Sequence, residues 1–285
     1  IVAGRYQMFR TAAVIALAAL VVAACATSPT GRTQLMLVSE DQAISASKQA
    51  YVQDMNKLKS QGKLVADPKL LARVGLITER LVAQAVAMRP DSARWAWSVE
   101  VVDEPKTVNA WCMAGGRMAL YTGLILKLDP TDDELAQVMG HEIAHALANH
   151  TAEKMSMSMA SQLGVIAAGV ASDNPGQTMA IAATAAALAV QLPNSRSAEA
   201  EADRIGIELA AKAGYDPRAA ATLWQKMAAV GGSSPPAFLS THPGPEQRQE
   251  KLAKLAPQMQ PYYAAAKNPP SHPVRVGEAA RSGTG

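Results

Sequence analysis

Cysteine is nearly absent from this chain, with two residues in 285, Cys25 and Cys112. Two cysteines cannot build a disulfide framework, so stability must come from packing. Aromatic residues are scarce at 4%, too few for a platform on which bases could stack. The net charge of +3 is small and does not suggest a nucleic-acid binder. No uninterrupted apolar run approaches the ~20 residues of a membrane span. Apolar residues make up 49% of the chain, which suits one domain with a real core, or at most two.

The chain opens on a targeting pattern. Arg5 and Arg10 precede an apolar run over residues 11–24 that stops at Cys25. Val22-Ala23-Ala24-Cys25 resembles a bacterial lipobox, which implies cleavage before Cys25 and a lipid on that cysteine. Ala26 in place of aspartate implies the outer membrane by the same resemblance. An ordinary signal peptide or a short uncleaved anchor is the other reading. The expected organisation is a leader over residues 1–24, a lipidated linker over 25–38, a folded domain over 39–265 and a disordered tail over 266–285. With Cys25 lipidated, Cys112 has no disulfide partner and reads as a small buried residue in a strand.

Two stretches carry chemistry. The first is His141-Glu142-Ile143-Ala144-His145. Thr131, with Glu134 three residues on, predicts a capping box at the start of its helix. Leu135, Val138, Met139, Ile143, Ala146 and Leu147 then form an apolar stripe at helical spacing. His141 and His145 are i, i+4, on one face about a turn apart, beside Ala144 and Ala148. Two imidazoles so placed can reach one zinc ion, and Glu142 can take a proton from water that the ion activates. A pair of histidines on a solvated face is the plain alternative.

The second stretch is residues 195–206. Glu199 and Asp203 are again i, i+4, and Ala202, Gly206 and Ala210 make a stripe of small residues. That stripe lets this helix approach the first closely. Two histidines and a glutamate with a fourth position open is the catalytic zinc pattern, one ion per chain. Asp203 would accept the outer N–H of a liganding histidine. The alternative is a helix with surface carboxylates, which is how Glu201 reads. A purely structural zinc site fits poorly, because such sites usually use cysteines.

The remaining elements read as scaffold. Helices are expected from Ser39 to about Ser60 and from Asp67 to just before Pro90. Alternation at Trp97, Val99 and Val101, then Val108–Met113 and Arg117–Tyr121 around Gly115-Gly116, predicts a small antiparallel sheet before the metal helix. An open edge of it could pair with an extended peptide, or the sheet could be simple support. His150 reads as a helix-end residue favoured by the dipole. Residues 155–192, broken at Asp173–Gly176, read as a helical hairpin whose Met155, Met157 and Met159 form either a greasy rim or core. Residues 217–230 predict a further helix. Residues 231–236 read as a flexible loop before His242, and Gln247–Leu255 as a short closing helix.

H-E-x-x-H followed some 50 residues later by Ser195-Arg196…Glu199…Ala202-Asp203 resembles the zinc metalloproteases grouped with HtpX, BepA, LoiP and the CAAX prenyl proteases. The likeness runs from about Leu35 to about Leu255 and is greatest to the small LoiP-type outer-membrane lipoproteins. It implies an α+β, mostly helical fold, with the H-E-x-x-H helix and the Glu-ligand helix packed beside the small sheet. Asn109-Ala110 and Gly115-Gly116 resemble the family's substrate-side strand. Ser240-Thr241-His242-Pro243 followed by Arg248 resembles a later element. The resemblance implies that His242 approaches the metal or the transition state and that Arg248 helps hold the site. The expected function is a lipid-anchored periplasmic zinc endopeptidase acting on unfolded or misassembled envelope proteins. A latent binding protein, its zinc site occluded, that assists outer-membrane assembly machinery is the alternative. No nucleic-acid partner is expected.

Overall fold

The computed structural model describes residues 24–172, 174, 176–181, 195–230, 237–242 and 245–277. The leader up to residue 23, residues 182–194 of the expected hairpin, the 231–236 loop and the end of the tail lie outside the described residues. Two short strands come first, β1 (Cys25–Thr27) and β2 (Thr33–Leu35), then helices α1 (Glu40–Ser60) and α2 (Pro68–Met88). Strands β3 (Ser98–Val102), β4 (Ala110–Met113) and β5 (Arg117–Tyr121) follow. Helices α3 (Thr122–Leu128), α4 (Asp132–Leu147), α5 (His150–Ala171), α6 (Arg196–Lys212) and α7 (Ala219–Val230) come next. The short α8 (Ala237–Thr241), α9 (Pro245–Ala265) and β6 (Arg275–Val276) complete the described elements. The mostly helical α+β class expected from the sequence is what the chain forms.

The chain divides into two compact units, one of residues before Ile44 with those from Asn149 to Leu192, the other of the rest. In the first unit, β1 and β2 pair antiparallel, Cys25 opposite Leu35. The expected linker is thus a hairpin. Arg32 clamps Glu153 of α5 with two bonds of 2.6 Å, a bidentate fork. Gln34 adds a third bond to the same carboxylate, and the Val38 N–H donates to Ser156 Oγ at 2.9 Å. His150 is not at the C-terminal end of a helix. It is the buried first residue of α5, which starts after Asn149 in the left-handed conformation (φ 56°). The dipole there disfavours a cation, so the sequence reading of His150 is corrected. Met157, Met159 and Ile166 are exposed on α5, Met155 half-buried. No described helix is long and apolar enough to cross a membrane.

The second unit holds a four-stranded sheet in the order β4-β5-β3-β6. The expected antiparallel pairing is the β4–β5 hairpin, with Trp111 opposite Ala119. The sheet as a whole is mixed, because β3 joins β5 in parallel, Val99 beside Met118. Residues 103–109 carry the chain past β5, so β4 takes the outer place and β3 the inner one. A central strand is covered on both faces, and Ser98 and Glu100, the polar half of the alternation, are buried with Val99 and Val101. Gly115 and Gly116 close the hairpin at φ 84° and 80°. A Cβ on Gly116 would meet the Trp97 ring, so both conformation and space demand glycine there.

Two further differences concern the C-terminal part. The closing helix runs on through Pro257 and Pro261 to Ala265. The tail expected to be disordered from residue 266 instead lies along the sheet up to Gly277. Arg275 N–H donates to Trp97 O and Gly277 N–H to Val99 O, both at 3.1 Å, and β6 pairs in parallel with β3. Val276 packs against Gly75 of α2. Its polar, proline-rich composition hides a strand edge that satisfies its backbone on β3.

Helix α4 begins with the predicted capping box. Thr131 Oγ1 accepts from Glu134 N–H at 3.2 Å, and Glu134 Oε2 accepts from Thr131 N–H at 2.9 Å. Lys226 of α7 reaches the same carboxylate at 2.7 Å. Along α4 and α6 the small residues do what their spacing suggested. Ala144, Ala148, Ala202 and Ala210 are fully buried, and the backbones cross at Gly140 and Gly206. A Cβ on Gly206 would lie 2.8 Å from His141 N and 2.9 Å from His141 Cα. Gly206→Ala would gain up to ~1 kcal/mol of helix propensity. It must push α6 off the backbone of His141, and overpacking of this kind costs about 1–3 kcal/mol. Net destabilisation, together with weaker metal binding, is the expected result, read by thermal melting and metal titration. An unchanged melting temperature would contradict the close crossing.

Candidate metal centre

Helix α4 presents His141 and His145 on the face turned to α6, and α6 presents Glu199 to them. All three are buried. His141 Nε2 and His145 Nε2 converge to 3.0 Å. Glu199 Oε2 lies 3.3 Å from His141 Nε2, and Oε1 lies 3.4 Å from His145 Nε2. His242, just beyond α8, brings Nδ1 to 3.0 Å from Glu199 Oε1 and 3.2 Å from His141 Nε2. Among the described residues these four side chains form a cluster able to hold a metal ion, with one donor atom from each within 4.8 Å of all the others.

The spacings test the fit. Four ligands at 2.0–2.1 Å around a tetrahedral ion stand about 3.3 Å apart along each edge. The donor separations given above run from 3.0 to 3.4 Å. Three imidazoles and a carboxylate are a nitrogen and oxygen donor set of the kind zinc takes. These residues therefore supply donors of the right kind and, for the pairs given, of the right spacing for such a cation.

Around the donors is a buried polar frame. Asp203 Oδ1 lies 3.1 Å from His141 Nδ1, the outer nitrogen of that ring. Arg248, from α9, donates through Nε to Asp203 Oδ2 and through Nη1 to Glu199 Oε2, each at 2.8 Å. Its Nη2 bonds Asp203 Oδ1 and lies 3.1 Å from His141 Nδ1. The sequence resemblance brought Arg248 to this site, and the structure puts it between the two carboxylates. Phe238 of α8 stacks on His242 at 4.4 Å. Trp224 of α7 lies under Arg248, with the guanidinium carbon 3.9 Å from its ring centre. Neither aromatic was legible as a site residue. Glu201, expected at the surface, is buried.

The electrostatics favour a cation at the centre. Burial works against ionising Glu199, but hydrogen bonds from His141 and His242 outweigh it and hold its carboxyl far below the usual range. Asp203 is lowered likewise, against its burial, chiefly by Arg248. Burial and Arg248 press the His141 pKa down, yet the two carboxylates carry it up to about 9. The anionic pair thus draws positive charge to His141, as a proton or as a metal competing for the same nitrogen. Glu142 differs. Burial raises its carboxyl pKa, and its Oε1 makes no hydrogen bond, with His242 Nε2 at 3.5 Å. It is the buried carboxylate of the group with an oxygen left for another partner.

Beside the site runs β4, an edge strand among the described residues. Tyr121 N–H donates to Asn109 O at 3.1 Å, so the backbone of 109, 111 and 113 faces β5 and that of 110 and 112 faces outward. Asn109 Oδ1 caps the Ala110 N–H at 3.0 Å. Cys112 is buried as expected, and burial with the nearby Glu142 charge pushes its thiol well above its ordinary pKa. Helix α8 meets the same strand, Phe238 N–H donating to Val108 O. Ala110 thus turns its backbone to the outer edge and Asn109 turns its own to β5, whereas Gly115 and Gly116 sit in the turn at the other end of β4. Cys25 is exposed on β1, in the other unit.

Comparison with known proteins agrees with this geometry. Residues 68–256 match the profile of peptidase family M48. The chain is 40% identical over 161 residues to the mitochondrial metalloendopeptidase OMA1 of Arabidopsis thaliana, covering 56% of this chain and 31% of that protein. It is 34% identical over 241 residues to the human mitochondrial metalloendopeptidase OMA1, covering 80% and 45%. It is 30% identical over 221 residues to the beta-barrel assembly-enhancing protease of Yersinia pestis, covering 74% and 44%. The chain spans less than half the length of these relatives. The mitochondrial metalloendopeptidases add to the relatives that the motifs suggested. The match runs from α2 into α9 and encloses every residue of the donor cluster, and the chain belongs to peptidase family M48, a family of metal-dependent proteases.

Proposed function

We propose that this protein is a zinc endopeptidase in which His141, His145 and Glu199 hold one zinc ion. The observation that carries the reading is the convergence of these donors with Glu142 beside them, one oxygen free. Zinc, when bound, supplies a Lewis acid that polarises a carbonyl and makes water more acidic. Glu142 takes the proton of the attacking water and returns it to the leaving amine. The Asp203 carboxylate holds the orientation of the His141 ring through its outer nitrogen. The outward backbone of Ala110 and Cys112 gives an extended peptide a strand to pair with, which gives affinity with little sequence preference.

Unfolded or misassembled polypeptides are the proposed substrates, since an edge strand can pair only with a chain that is free to extend. Placement on the periplasmic side of the outer membrane, through lipid on Cys25, is supported by the lipobox-like Val22–Cys25. Likeness to beta-barrel assembly-enhancing proteases supports the same placement and a link to envelope assembly machinery. A second reading is favoured by one observation. His242 Nδ1 stands among the donors, and Phe238 N–H takes the Val108 carbonyl at the substrate edge. A protein held in that arrangement would be latent.

The test is hydrolysis of reduced, unfolded casein by the full chain carrying one equivalent of zinc, before and after chelation. Cleavage that chelation abolishes and zinc restores supports the endopeptidase. Bound zinc without cleavage, with activity released by His242→Ala, would support the latent form. Cleavage that continues without metal would overturn both.

A further inference from the structure

One guanidinium holds both carboxylates of the site, and one ring holds the guanidinium. The in-plane N–H groups of Arg248 donate to Glu199 and to Asp203, and its Nη2 lies 3.1 Å from His141 Nδ1. These partners fix where its nitrogens lie within the plane. They restrain the tilt of that plane too, and whatever covers its faces adds to that restraint. Trp224, itself buried, covers one face with the guanidinium carbon 3.9 Å from the ring centre. A planar, weakly hydrated guanidinium stacks well on an indole, and the attraction grows where water is excluded.

We propose that Trp224 is a positioning residue of the metal centre: its indole face sets the plane of the Arg248 guanidinium, and through it the presentation of Glu199 and Asp203 to the metal and to His141. A fork that tilts off the indole loses the parallel alignment that makes its bonds strong. Glu199 is then free to rotate, and the His141 ring loses part of its restraint. Partners one step removed from a metal typically change its affinity by about 10–100-fold. This rests on the metal reading of the site.

Trp224 has a second neighbour, Phe238, whose ring centre lies 5.9 Å away and which stacks on His242. The experiment must separate the two routes. Zinc affinity is measured by chelator competition on the full chain and on Trp224→Phe, Trp224→Leu, Arg248→Gln and the Trp224→Leu/Arg248→Gln pair, with a thermal melt of each. Trp224→Leu is expected to lose about tenfold in affinity, and Trp224→Phe, which keeps a ring face, to stay within about threefold of the parent. In the Arg248→Gln background, Trp224→Leu is expected to cost nothing further, the coupling of two residues that act as one. Equal losses in the Phe and Leu variants would overturn the proposal, because packing alone would then explain them. So would an additive pair, which would assign the effect to Phe238 or to general stability. Trp224→Met, closer in volume, replaces the leucine variant if that one does not fold, with the same expectations. If the parent chain binds no zinc, the metal reading itself fails, an outcome distinct from a parent that binds zinc with an insensitive Trp224.

Discussion

Replacing Glu142 with glutamine is expected to lower kcat for casein by about 10²–10⁴-fold, the usual worth of a positioned acid–base group, while zinc content and KM stay near the parent values. The amide keeps the shape but cannot take a proton. Glu142 Oε1 makes no hydrogen bond in the folded chain, so the amide weakens only its 3.5 Å contact with His242 Nε2. A fall in kcat without a rise in KM marks an interaction made only in the transition state. Burial holds the carboxyl above its ordinary pKa. The base form is lost as pH falls through the carboxyl pKa, so kcat/KM of the parent should decline on the acid side. A variant with more than a tenth of parental kcat, measured at equal zinc content, would remove Glu142 from the base role.

Replacing Glu199 with alanine is expected to weaken zinc binding by more than about 100-fold, beyond the range for residues one step removed from the metal, and to abolish cleavage with it. The loss has two parts. One of three proposed ligands is gone, and Arg248 keeps only Asp203 as its carboxylate partner. Removing one carboxylate of a buried set costs less than the ~3–5 kcal/mol of a charge left unpaired, because Asp203 still compensates Arg248. The variant should therefore melt below the parent even when both are stripped of metal. Metal titration and melting with and without chelator separate the two parts. Full zinc stoichiometry at parental affinity in Glu199→Ala would sink the ligand assignment.

The residues whose signals are local were legible in the sequence. Thr131 and Glu134 announce α4 because a capping box is a contact three residues apart. His141, His145, Glu199 and Asp203 could be grouped because helical spacing fixes which side chains share a face. The small residues Ala144, Ala148, Ala202 and Gly206 showed that the two faces could meet. His242 and Arg248 were found only through resemblance, since no spacing links residues about 100 positions from His141 to its ring. Trp224 and Phe238 gave no signal at all. Each reads as an ordinary apolar position, and its role comes from a stacking partner on another element.

The differences have physical causes of the same sort. The alternation of β3 reads as a half-exposed strand, but β5 and β6 flank it on both edges, and inside the sheet Ser98 and Glu100 are buried along with Val99 and Val101. The composition of residues 266–277 reads as disorder, yet extended backbone needs only a free strand edge, and β3 offers one. His150 reads as the end of α4. The left-handed turn at Asn149 makes it the start of α5 instead. Glu201 reads as a surface carboxylate because charged residues usually are, whereas α6 is enclosed where it carries that residue.

The most direct test of the account is zinc K-edge X-ray absorption on the full chain loaded with one equivalent of zinc. Zinc on His141, His145 and Glu199 should give a first shell of nitrogen and oxygen at about 2.0–2.1 Å, with outer scattering from at least two imidazoles, and Glu199→Ala should lose the ordered shell. A sulfur scatterer near 2.3 Å would contradict it, since that would place the metal on Cys25 or Cys112 and away from His141, His145 and Glu199.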